Sequence, residues 1–216
     1  MLSGELLKQV CRGKSLMRAL LNLHLKKFTV HGLVLDIGGG AGSSYFRFLN
    51  KMEDAKIINL DLDIKADQRL DLERDALPFA DCSVDQALAF NILEHIYNHN
   101  FLLAEISRVL KPTGQLIGFV PFIINYHPDP HDYFRYSHEA LEKMLQQAKF
   151  SQIKITALGF GPWSANYNNI MILLPRILRV VLFYPYYLLD KLFLKIKPKM
   201  RQRYPLGFFF IAQKND

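Results

Sequence analysis

Closely spaced glycines follow an apolar run that contains one acid, in the stretch LVLDIGGGAG from Leu33 to Gly42. The apolar residues are typical of a buried strand, whereas Gly38, Gly40 and Gly42 remove side chains where the chain turns. The backbone of such a turn can touch a ligand. The carboxylate of Asp36 would attract a ligand that carries hydrogen-bond donors or positive charge. The stretch therefore predicts a binding site for a small molecule.

The spacing of these glycines separates two classes of ligand. A dinucleotide-binding turn has the pattern G-x-G-x-x-G, whose last glycine lets the following helix pack on the strand. Gly38 and Gly40 fit that pattern, but its last position holds Ser43. Asp36 would also repel a pyrophosphate, while it would attract an amino-acid ammonium or a sulfonium. The turn thus favours a cationic small molecule over a dinucleotide.

A second acid stands where a nucleoside-binding unit needs one. Lys56 to Leu60 is predicted as a strand, and Asp61 follows it, 19 positions after Gly42. In strand–helix–strand nucleotide sites, an acid about 20 residues beyond the glycine turn binds the hydroxyl pair of the ribose. Asp61 is the predicted residue, and Asp63 is the alternative because it stands two positions later.

The motifs that follow give the chain a family resemblance. Gln68 to Ile96 contains an acid, an LPF tripeptide, a further acid and an LEH tripeptide, namely Asp71, residues 77–79, Asp85 and residues 93–95. This order, together with the acid-and-glycine turn before it, resembles the class I S-adenosylmethionine-dependent methyltransferases. The resemblance covers roughly Gly32 to Leu158 and the last strand, and it implies S-adenosylmethionine as the cofactor.

The resemblance also implies roles for individual residues. Asp71 would accept a hydrogen bond from the adenine amino group, with Asp75 as the alternative, and Leu72 would pack on the ring or donate its amide. Asn91 and the LEH tripeptide after it would line the methionine end. The complete set implied for the cofactor is Asp36, Gly38, Gly40, Gly42, Asp61, Asp71, Leu72 and Asn91.

Polar and aromatic residues are concentrated directly after the predicted fifth strand, in the segment from Pro121 to Ser137. We predict that His127, His131 and Asp132 recognise the acceptor and that one of them acts as a general base. Two other interpretations stay open. His131, Asp132 and Arg135 could form a latch that holds the loop, or His127, Asp129, His131 and Asp132 could bind a metal. We assign no metal site from the sequence. The HDYFRYS segment resembles methyltransferases of sugars and surface polysaccharides.

Alternating strands and helices must position these residues. From Val34 to Val120 the pattern predicts an α/β doubly wound, Rossmann-like sheet with helices on both faces, mostly parallel with an antiparallel last strand. Only six residues separate Asp61 from Gln68, so the helix that usually joins these strands is predicted to be missing. Further predicted elements are a helix at 6–28, a helix from Ser43 or Ser44 to about Met52, helices at 101–110 and 137–149, and strands at 84–90, 115–120, 152–158 and 208–213.

Composition limits the organisation of the chain. Its 216 residues, half of them hydrophobic, suffice for one domain. We divide it into a helical cover (1–31), a cofactor-binding core (32–158), an apolar and basic helical insertion (159–204) and a final strand (205–216). The formal charge of +7 suggests an anionic partner. Because there are only two cysteines and no uninterrupted apolar N-terminal segment, we expect a cytoplasmic protein.

The segment from Ile170 to Arg203 combines apolar residues with a basic end. Arginines and prolines interrupt it, so we do not expect a membrane-spanning helix, and two short helices fit the pattern better. An apolar helical pair beside a basic run is what an interfacial membrane anchor needs. A lid or a dimer contact would explain the apolar residues equally well.

The motifs together predict methyl transfer from S-adenosylmethionine to an oxygen or nitrogen of a small-molecule, sugar or lipid-linked acceptor. The alternatives are a non-catalytic binding or scaffold protein with the same fold, and a nucleic-acid methyltransferase. Nucleic acid is the less favoured partner because acids are interleaved with the aromatic residues of 126–136, whereas strand-binding grooves are predominantly basic. The sequence leaves the oligomeric state open.

Overall fold

The computed structural model describes residues 4–40, 43–63 and 65–215. Its strands are β1 (Thr29–Val30), β2 (Leu33–Ile37), β3 (Asn50–Lys51), β4 (Lys56–Asp61), β5 (Gln68–Arg69), β6 (Val84–Phe90), β7 (Leu110–Pro121), β8 (Phe150–Leu158) and β9 (Gly207–Lys214). Seven of them form one sheet in the order β5-β4-β2-β6-β7-β9-β8, in which β9 runs antiparallel to both of its neighbours and the other neighbouring pairs are parallel. This confirms the predicted fold class.

Helices cover both faces of this sheet: α1 (Gly4–Cys11), α2 (Leu16–Leu25), α3 (His99–Val109), α4 (His138–Gln147), α5 (Pro162–Ile170), α6 (Arg176–Ile196) and α7 (Met200–Arg203). Because successive strand residues point to opposite faces, Val34 packs with α1, α2, α5 and α6, while Leu35 packs with α3 and α4. The alternation yields two separate hydrophobic cores, one on each side of the sheet.

The connection between β4 and β5 is as short as predicted. Among the described residues of 62–67 there is no helix, and β5 consists of two residues that pair with the end of β4. Asp71 nevertheless follows β5 closely enough to reach the same edge of the sheet as Asp61. A minimal strand therefore suffices to carry the chain back to that edge.

The helix predicted from Ser43 or Ser44 to about Met52 was wrong. Phe46–Phe48 forms one turn of 3-10 helix, and β3 follows it and pairs with β1. Tyr45 and Leu49 are buried in the same core as α2, which already covers this face of the sheet. The N-terminal helices thus occupy the place where a helix after the glycine turn would pack. The predicted helix at 6–28 is itself divided into α1 and α2 at Gly13, whose φ is +85°.

Helix α5 is capped at its N-terminus by a residue from a distant part of the chain. Asp190 of α6 is buried and accepts hydrogen bonds from the amides of Trp163 (3.0 Å) and Ser164 (2.8 Å) and from the Ser164 hydroxyl (2.5 Å). A carboxylate at a helix N-terminus pairs the free amides and complements the helix dipole. This cap joins α5 to α6.

Replacing Asp190 with alanine should lower the free energy of unfolding by about 2 to 4 kcal/mol, because the buried Ser164 amide and the partly buried Trp163 amide lose their acceptor. Urea denaturation measures the change. Asp190→Asn, which keeps one acceptor oxygen, should lose less, and Lys191→Ala on the exposed side of the same helix should match the wild type. An Asp190→Ala variant within about 0.5 kcal/mol of the wild type would contradict the capping role.

Helix α6 is one helix of 21 residues rather than the two short helices we predicted. Pro185 lies inside it, where proline removes a hydrogen bond to the carbonyl four residues earlier. Both Pro185 and Val181 are exposed, so solvent can reach the carbonyl that loses its partner. No helix in the described part of the chain is long and apolar enough to cross a membrane.

Candidate active site

The carboxyl ends of β2, β4, β6 and β7 open into one cavity of about 1150 Å³. Parallel strands bring their carboxyl ends to the same edge of a sheet, which is where ligands of such folds bind. The cavity is lined by predicted site residues from every one of these connections, namely Gly38, Gly40, Asp61, Asp71, Leu72, Asn91, His127 and His131. The structure therefore brings most of the predicted residues together.

The glycine turn approaches this cavity with its backbone. At Gly39 a Cβ atom would lie 1.9 Å from a carboxylate oxygen of Asp36, so no larger residue fits there. At Gly40, whose φ is +62°, a Cβ would meet nothing within 4 Å. The space beside Gly40 is thus open for a ligand to contact the backbone. The prediction for Gly42 lies outside the described residues.

Asp36 lies behind the glycine turn and does not line the cavity. Its carboxylate is completely buried and accepts hydrogen bonds from the hydroxyls of Ser43 (2.7 Å) and Tyr45 and from the Asn59 amide (3.3 Å). Burial raises the pKa of Asp36 to about 6, although the bonds from Tyr45 and Ser43 oppose the shift. The direct ligand contact that we predicted is not part of this geometry. Asp36 instead holds the turn, through Tyr45 and Asn59, two residues that the sequence reasoning missed.

Asp61 stands at the end of β4 and faces the cavity. One carboxylate oxygen accepts the Gly40 amide (2.9 Å) and the other accepts the Asp63 amide (2.9 Å). These bonds orient the carboxylate and leave further lone pairs for a ligand. Asp63 also lines the cavity, but one of its oxygens accepts the amide of Lys65 (2.9 Å) in a local turn. The contact between Asp61 and Gly40 links the acid that is predicted to bind the ribose to the glycine turn.

Asp71 and Leu72 lie in the cavity wall beyond the short strand β5. Asp71 accepts the Glu73 amide (3.0 Å), and its own amide donates to Asp75 (2.7 Å). Asp75, the alternative for Asp71, thus braces the turn and is not among the residues that line the cavity. Leu72 is buried and offers an apolar surface next to these polar groups.

Asn91 carries an amide group with unused hydrogen-bonding capacity. It follows β6, adopts a φ of +53°, and its backbone amide donates to the Phe119 carbonyl (2.9 Å). Both polar atoms of its side chain are buried, and neither has a partner among the described residues. A buried amide without partners costs free energy. Because Asn91 lines the cavity, a bound ligand could supply the missing partners.

The loop after β7 is tied to the LEH turn, 93–95, at the other end of the cavity. The Tyr133 amide donates to the Glu94 carbonyl (2.8 Å), and the Tyr136 hydroxyl donates to the Leu93 carbonyl (3.0 Å). These bonds place the rings of His127 and His131 in the cavity wall beside His95. The predicted acceptor end and the family's LEH signature thus form one surface.

Asp132 does not line the cavity, so it cannot act there as a base. Its side chain is 1% exposed and accepts two hydrogen bonds from Arg135, at 2.5 and 2.7 Å, and one from the His127 amide at 2.9 Å. The Arg135 guanidinium holds the pKa of Asp132 well below its usual range. The latch that we considered exists, but its histidine is His127 rather than His131.

The metal set that we considered, His127, Asp129, His131 and Asp132, is not assembled, because Asp132 is used by Arg135. Within residues 4–40, 43–63 and 65–215, the group with metal-ligand spacing consists of Glu94, His95 and His127. From the sequence we expected Glu94 and His95 to line the methionine end and assigned them no metal. The sequence did contain a signal for this group, because Glu94 and His95 are adjacent and His127 follows the next strand, β7.

Comparison with known proteins agrees with this geometry. Residues 35–118 match the family model described as a methyltransferase domain. The matched segment covers less than half of the 216 residues. It contains the glycine turn, Asp61, Asp71, Asn91 and the LEH turn, whereas His127 and His131 lie beyond its end.

Individual relatives and structures resemble longer parts of the chain. An uncharacterized protein of Methanocaldococcus jannaschii is 38% identical over 109 residues, which cover 46% of this chain and 46% of that protein. The ubiquinone/menaquinone biosynthesis C-methyltransferase UbiE of Dinoroseobacter shibae is 27% identical over 175 residues, covering 59% of this chain and 70% of UbiE. A SAM dependent methyltransferase from Archaeoglobus fulgidus has a similar fold, with a TM-score of 0.59, 16% identity and coverage of 91% and 94%. The chain thus spans less than half the length of the first of these relatives.

Proposed function

We propose that this protein transfers the methyl group of S-adenosylmethionine to an oxygen or nitrogen of a small-molecule, sugar or lipid-linked acceptor. The observation that carries the proposal is the side-chain amide of Asn91, which has no partner among the described residues. It shares one cavity with the Asp61 carboxylate and the open backbone of Gly40, all within the segment that matches the methyltransferase family model. A cofactor with a polar amino-acid end and a ribose would satisfy all three.

The residues present fit the parts of that cofactor. Asp61 offers a fixed carboxylate to the ribose hydroxyls, while Asp71 and Leu72 offer an acceptor and an apolar face to the adenine. Asn91 offers a donor and an acceptor to the amino-acid end. When bound, S-adenosylmethionine supplies a methyl group on a positively charged sulfur, which keeps the bonding electrons as the methyl leaves. The chain therefore has to exclude water, align the acceptor and remove its proton.

We assign the proton transfer to His131. The ring of His131 lines the cavity next to Tyr133 and makes no hydrogen bond with the described residues, so it is available to an acceptor. His127 is less suited, because its Nε2 lies 3.8 Å from the buried Glu94 carboxylate and its pKa is raised, chiefly by Glu94. In this assignment His131 takes the acceptor proton, and Asp132 positions His127.

Calorimetry with S-adenosylhomocysteine, the demethylated cofactor, tests the site. Asp61→Ala should weaken binding by about 1 to 3 kcal/mol, roughly 5- to 150-fold, since the ribose loses charge-assisted hydrogen bonds. Asp63→Ala is the matched control and should bind normally. If Asp63→Ala weakens binding and Asp61→Ala does not, the ribose role belongs to Asp63. Normal binding by both variants would place the cofactor elsewhere and refute the proposed site.

The alternative functions make different demands on this cavity. A nucleic-acid methyltransferase would need a basic approach, yet Asp61, Asp63, Asp71, Glu73 and Asp129 line the cavity, and carboxylates repel phosphates. A non-catalytic scaffold protein would need no imidazole facing the acceptor. His131 therefore favours an enzyme, and its replacement discriminates between the two classes.

We also propose that α6 binds the cytoplasmic surface of an anionic membrane, where a lipid-linked acceptor is presented. Its outer face carries large apolar side chains at helical spacing, namely Ile177, Val181, Tyr184, Leu188, Leu192 and Ile196, and Ile172 and Leu173 continue this apolar stripe. The side chains are between 50% and 82% exposed. An exposed apolar stripe of this extent is typical of an interaction surface.

The charges beside this apolar stripe favour a lipid surface over a second copy of the chain. Lys191, Lys195, Lys197 and Lys199 are exposed, and none of them forms a salt bridge within the described residues. A second copy would bring its own lysines towards them, whereas anionic headgroups would neutralise them. Each such cation contributes about 1 kcal/mol near an anionic leaflet.

A further inference from the structure

Three potential ligand atoms converge at the acceptor end of the cavity. Oε1 of Glu94 lies 3.8 Å from Nε2 of His95 and 3.8 Å from Nε2 of His127, and the three ligand atoms are all within 4.8 Å of one another. Both rings line the cavity, and the carboxylate lies behind them. This cluster, Glu94, His95 and His127, has no assigned part in binding the cofactor.

Glu94 is the feature that requires an explanation. The residue is completely buried, and neither carboxylate oxygen has a hydrogen-bond partner among the described residues. A buried carboxylate without partners is costly unless a cation compensates for it. Arg18 and Arg135 exert an attractive field on Glu94, but neither donates a hydrogen bond to it within the described part of the chain.

The two histidines are held in the orientation of metal ligands. The Nδ1 atom of His95 lies 2.5 Å from the His131 carbonyl, and Nδ1 of His127 lies 3.1 Å from the Asn125 carbonyl. A carbonyl only accepts, so the tautomer protonated at Nδ1 satisfies both carbonyls, and Nη2 of Arg135 also lies 3.4 Å from Nδ1 of His127. In the neutral ring protonated at Nδ1, each Nε2 presents a lone pair on the side of Glu94. Metal-ligating histidines characteristically donate their other ring N–H to a carbonyl or carboxylate, and Asp132 lies 3.4 Å from Nδ1 of His127.

We propose that Glu94, His95 and His127 bind a divalent transition-metal ion whose remaining positions face the cavity. Two imidazoles and one carboxylate are a recurrent ligand set for catalytic Zn²⁺ and for Fe²⁺. Ligand atoms around such an ion are about 3.4 Å apart when each metal bond is about 2.1 Å. The two separations from Glu94, 3.8 Å each, need to close by less than half an ångström, and the separation between the two histidine nitrogens, which is within 4.8 Å, needs to close by at most about 1.4 Å.

This inference rests on the proposed function and narrows its acceptor to a hydroxyl. A metal ion binds a hydroxyl oxygen and lowers its pKa, so that the oxygen can lose its proton near neutral pH. The proton passes to Nε2 or Nδ1 of His131. The oxygen lone pair then forms the new bond to the methyl carbon while the bond from that carbon to sulfur breaks. His127 is a metal ligand in this arrangement, which explains why its Nε2 faces Glu94 rather than the open cavity.

Cobalt binding tests the site without any turnover. Chelator-treated protein is titrated with Co²⁺, and the visible ligand-field absorption and calorimetric heat are recorded. We expect one ion per chain in the wild type. Glu94→Gln and His95→Asn should each weaken binding by roughly 100-fold or more, because loss of a ligand exceeds the 10- to 100-fold effect of losing a ligand's supporting contact. His138→Ala, an exposed histidine on α4, is the matched control and should bind as the wild type does.

Two results would overturn the metal site. Absence of saturable Co²⁺ binding by folded wild-type protein is one, and it would leave Glu94 paired with a protonated His127. Equal binding by Glu94→Gln, His95→Asn and the wild type is the other. S-adenosylhomocysteine calorimetry on the same samples keeps the proposals separate. Normal cofactor binding without metal refutes only the metal site, whereas metal binding without cofactor binding refutes only the proposed function. Should Glu94→Gln fail to fold, His95→Asn at the cavity surface carries the test.

Discussion

Replacing His131 with alanine should lower the rate of methyl transfer by roughly 10²- to 10⁴-fold, the range for loss of a general base. The affinity for S-adenosylhomocysteine should not change, because the groups that face the cofactor, Asp61 and Asn91, lie at the ends of β4 and β6, whereas His131 lies in the loop after β7. Single-turnover assays with a hydroxyl-bearing acceptor give the rate, and calorimetry gives the affinity. A lower rate of methyl transfer with an unchanged affinity for S-adenosylhomocysteine identifies a group that acts on the acceptor.

Asp129→Asn is the control for this prediction, because Asp129 lines the same part of the cavity but was assigned no proton transfer. It should retain a rate within a few-fold of the wild type. A His131→Ala variant that turns over normally would remove His131 as the base. A loss of folding, seen as a lower unfolding midpoint, would instead show that the residue holds the loop.

Polar substitution of the apolar stripe on α6 should abolish binding to anionic vesicles. The variant Ile177→Ser, Leu188→Ser, Ile196→Ser removes three side chains that are 78%, 54% and 75% exposed, so the folded protein loses little. Each side chain gains about 1.5 kcal/mol or more on leaving water, so the partition coefficient should fall by roughly 10³-fold. Vesicle flotation measures the coefficient.

Salt and headgroup charge provide the controls for this second prediction. Wild-type protein should float with anionic vesicles at low salt, bind them less at high salt, and bind neutral vesicles weakly, because screening reduces the contribution of the lysines. Met52→Ser changes an exposed apolar side chain outside α6 and should float like the wild type. Equal absence of flotation in every condition, by protein that still binds its cofactor, would refute the membrane proposal and favour a soluble acceptor.

Much of the sheet could be predicted because its signals are local. The strands predicted at Lys56 to Leu60 and Val84 to Phe90 follow from runs of apolar residues that end at polar ones, and the observed strands are Lys56–Asp61 and Val84–Phe90. The missing crossover helix followed from the number of residues available. Asp61, Asp71 and Asn91 could be placed at one edge because parallel strands deliver their carboxyl ends to the same side. Chain order alone was sufficient for these features.

Contacts between distant parts of the chain decided the rest. In the sequence, Asp190 only interrupts an apolar helix. In the structure it caps the N-terminus of α5 by accepting the amide of Ser164, 26 residues earlier in the chain. Hydrogen bonds from Tyr45 and Asn59 occupy the carboxylate of Asp36, so it is not available to a ligand. Hydrogen bonds from Arg135 occupy the carboxylate of Asp132 in the same way.

The sequence by itself therefore determined which residues can do chemistry and at which edge of the sheet they meet. Both follow from local patterns, because the strands and the polar residues that end them can be recognised from neighbouring residues. Only the tertiary structure decided which of their carboxylates is available. Asp61 keeps lone pairs for a ligand, Asp36 and Asp132 are used by protein donors, and Glu94 is buried with no donor among the described residues. Availability depends on burial and on partners far away in the chain, and no local pattern encodes either.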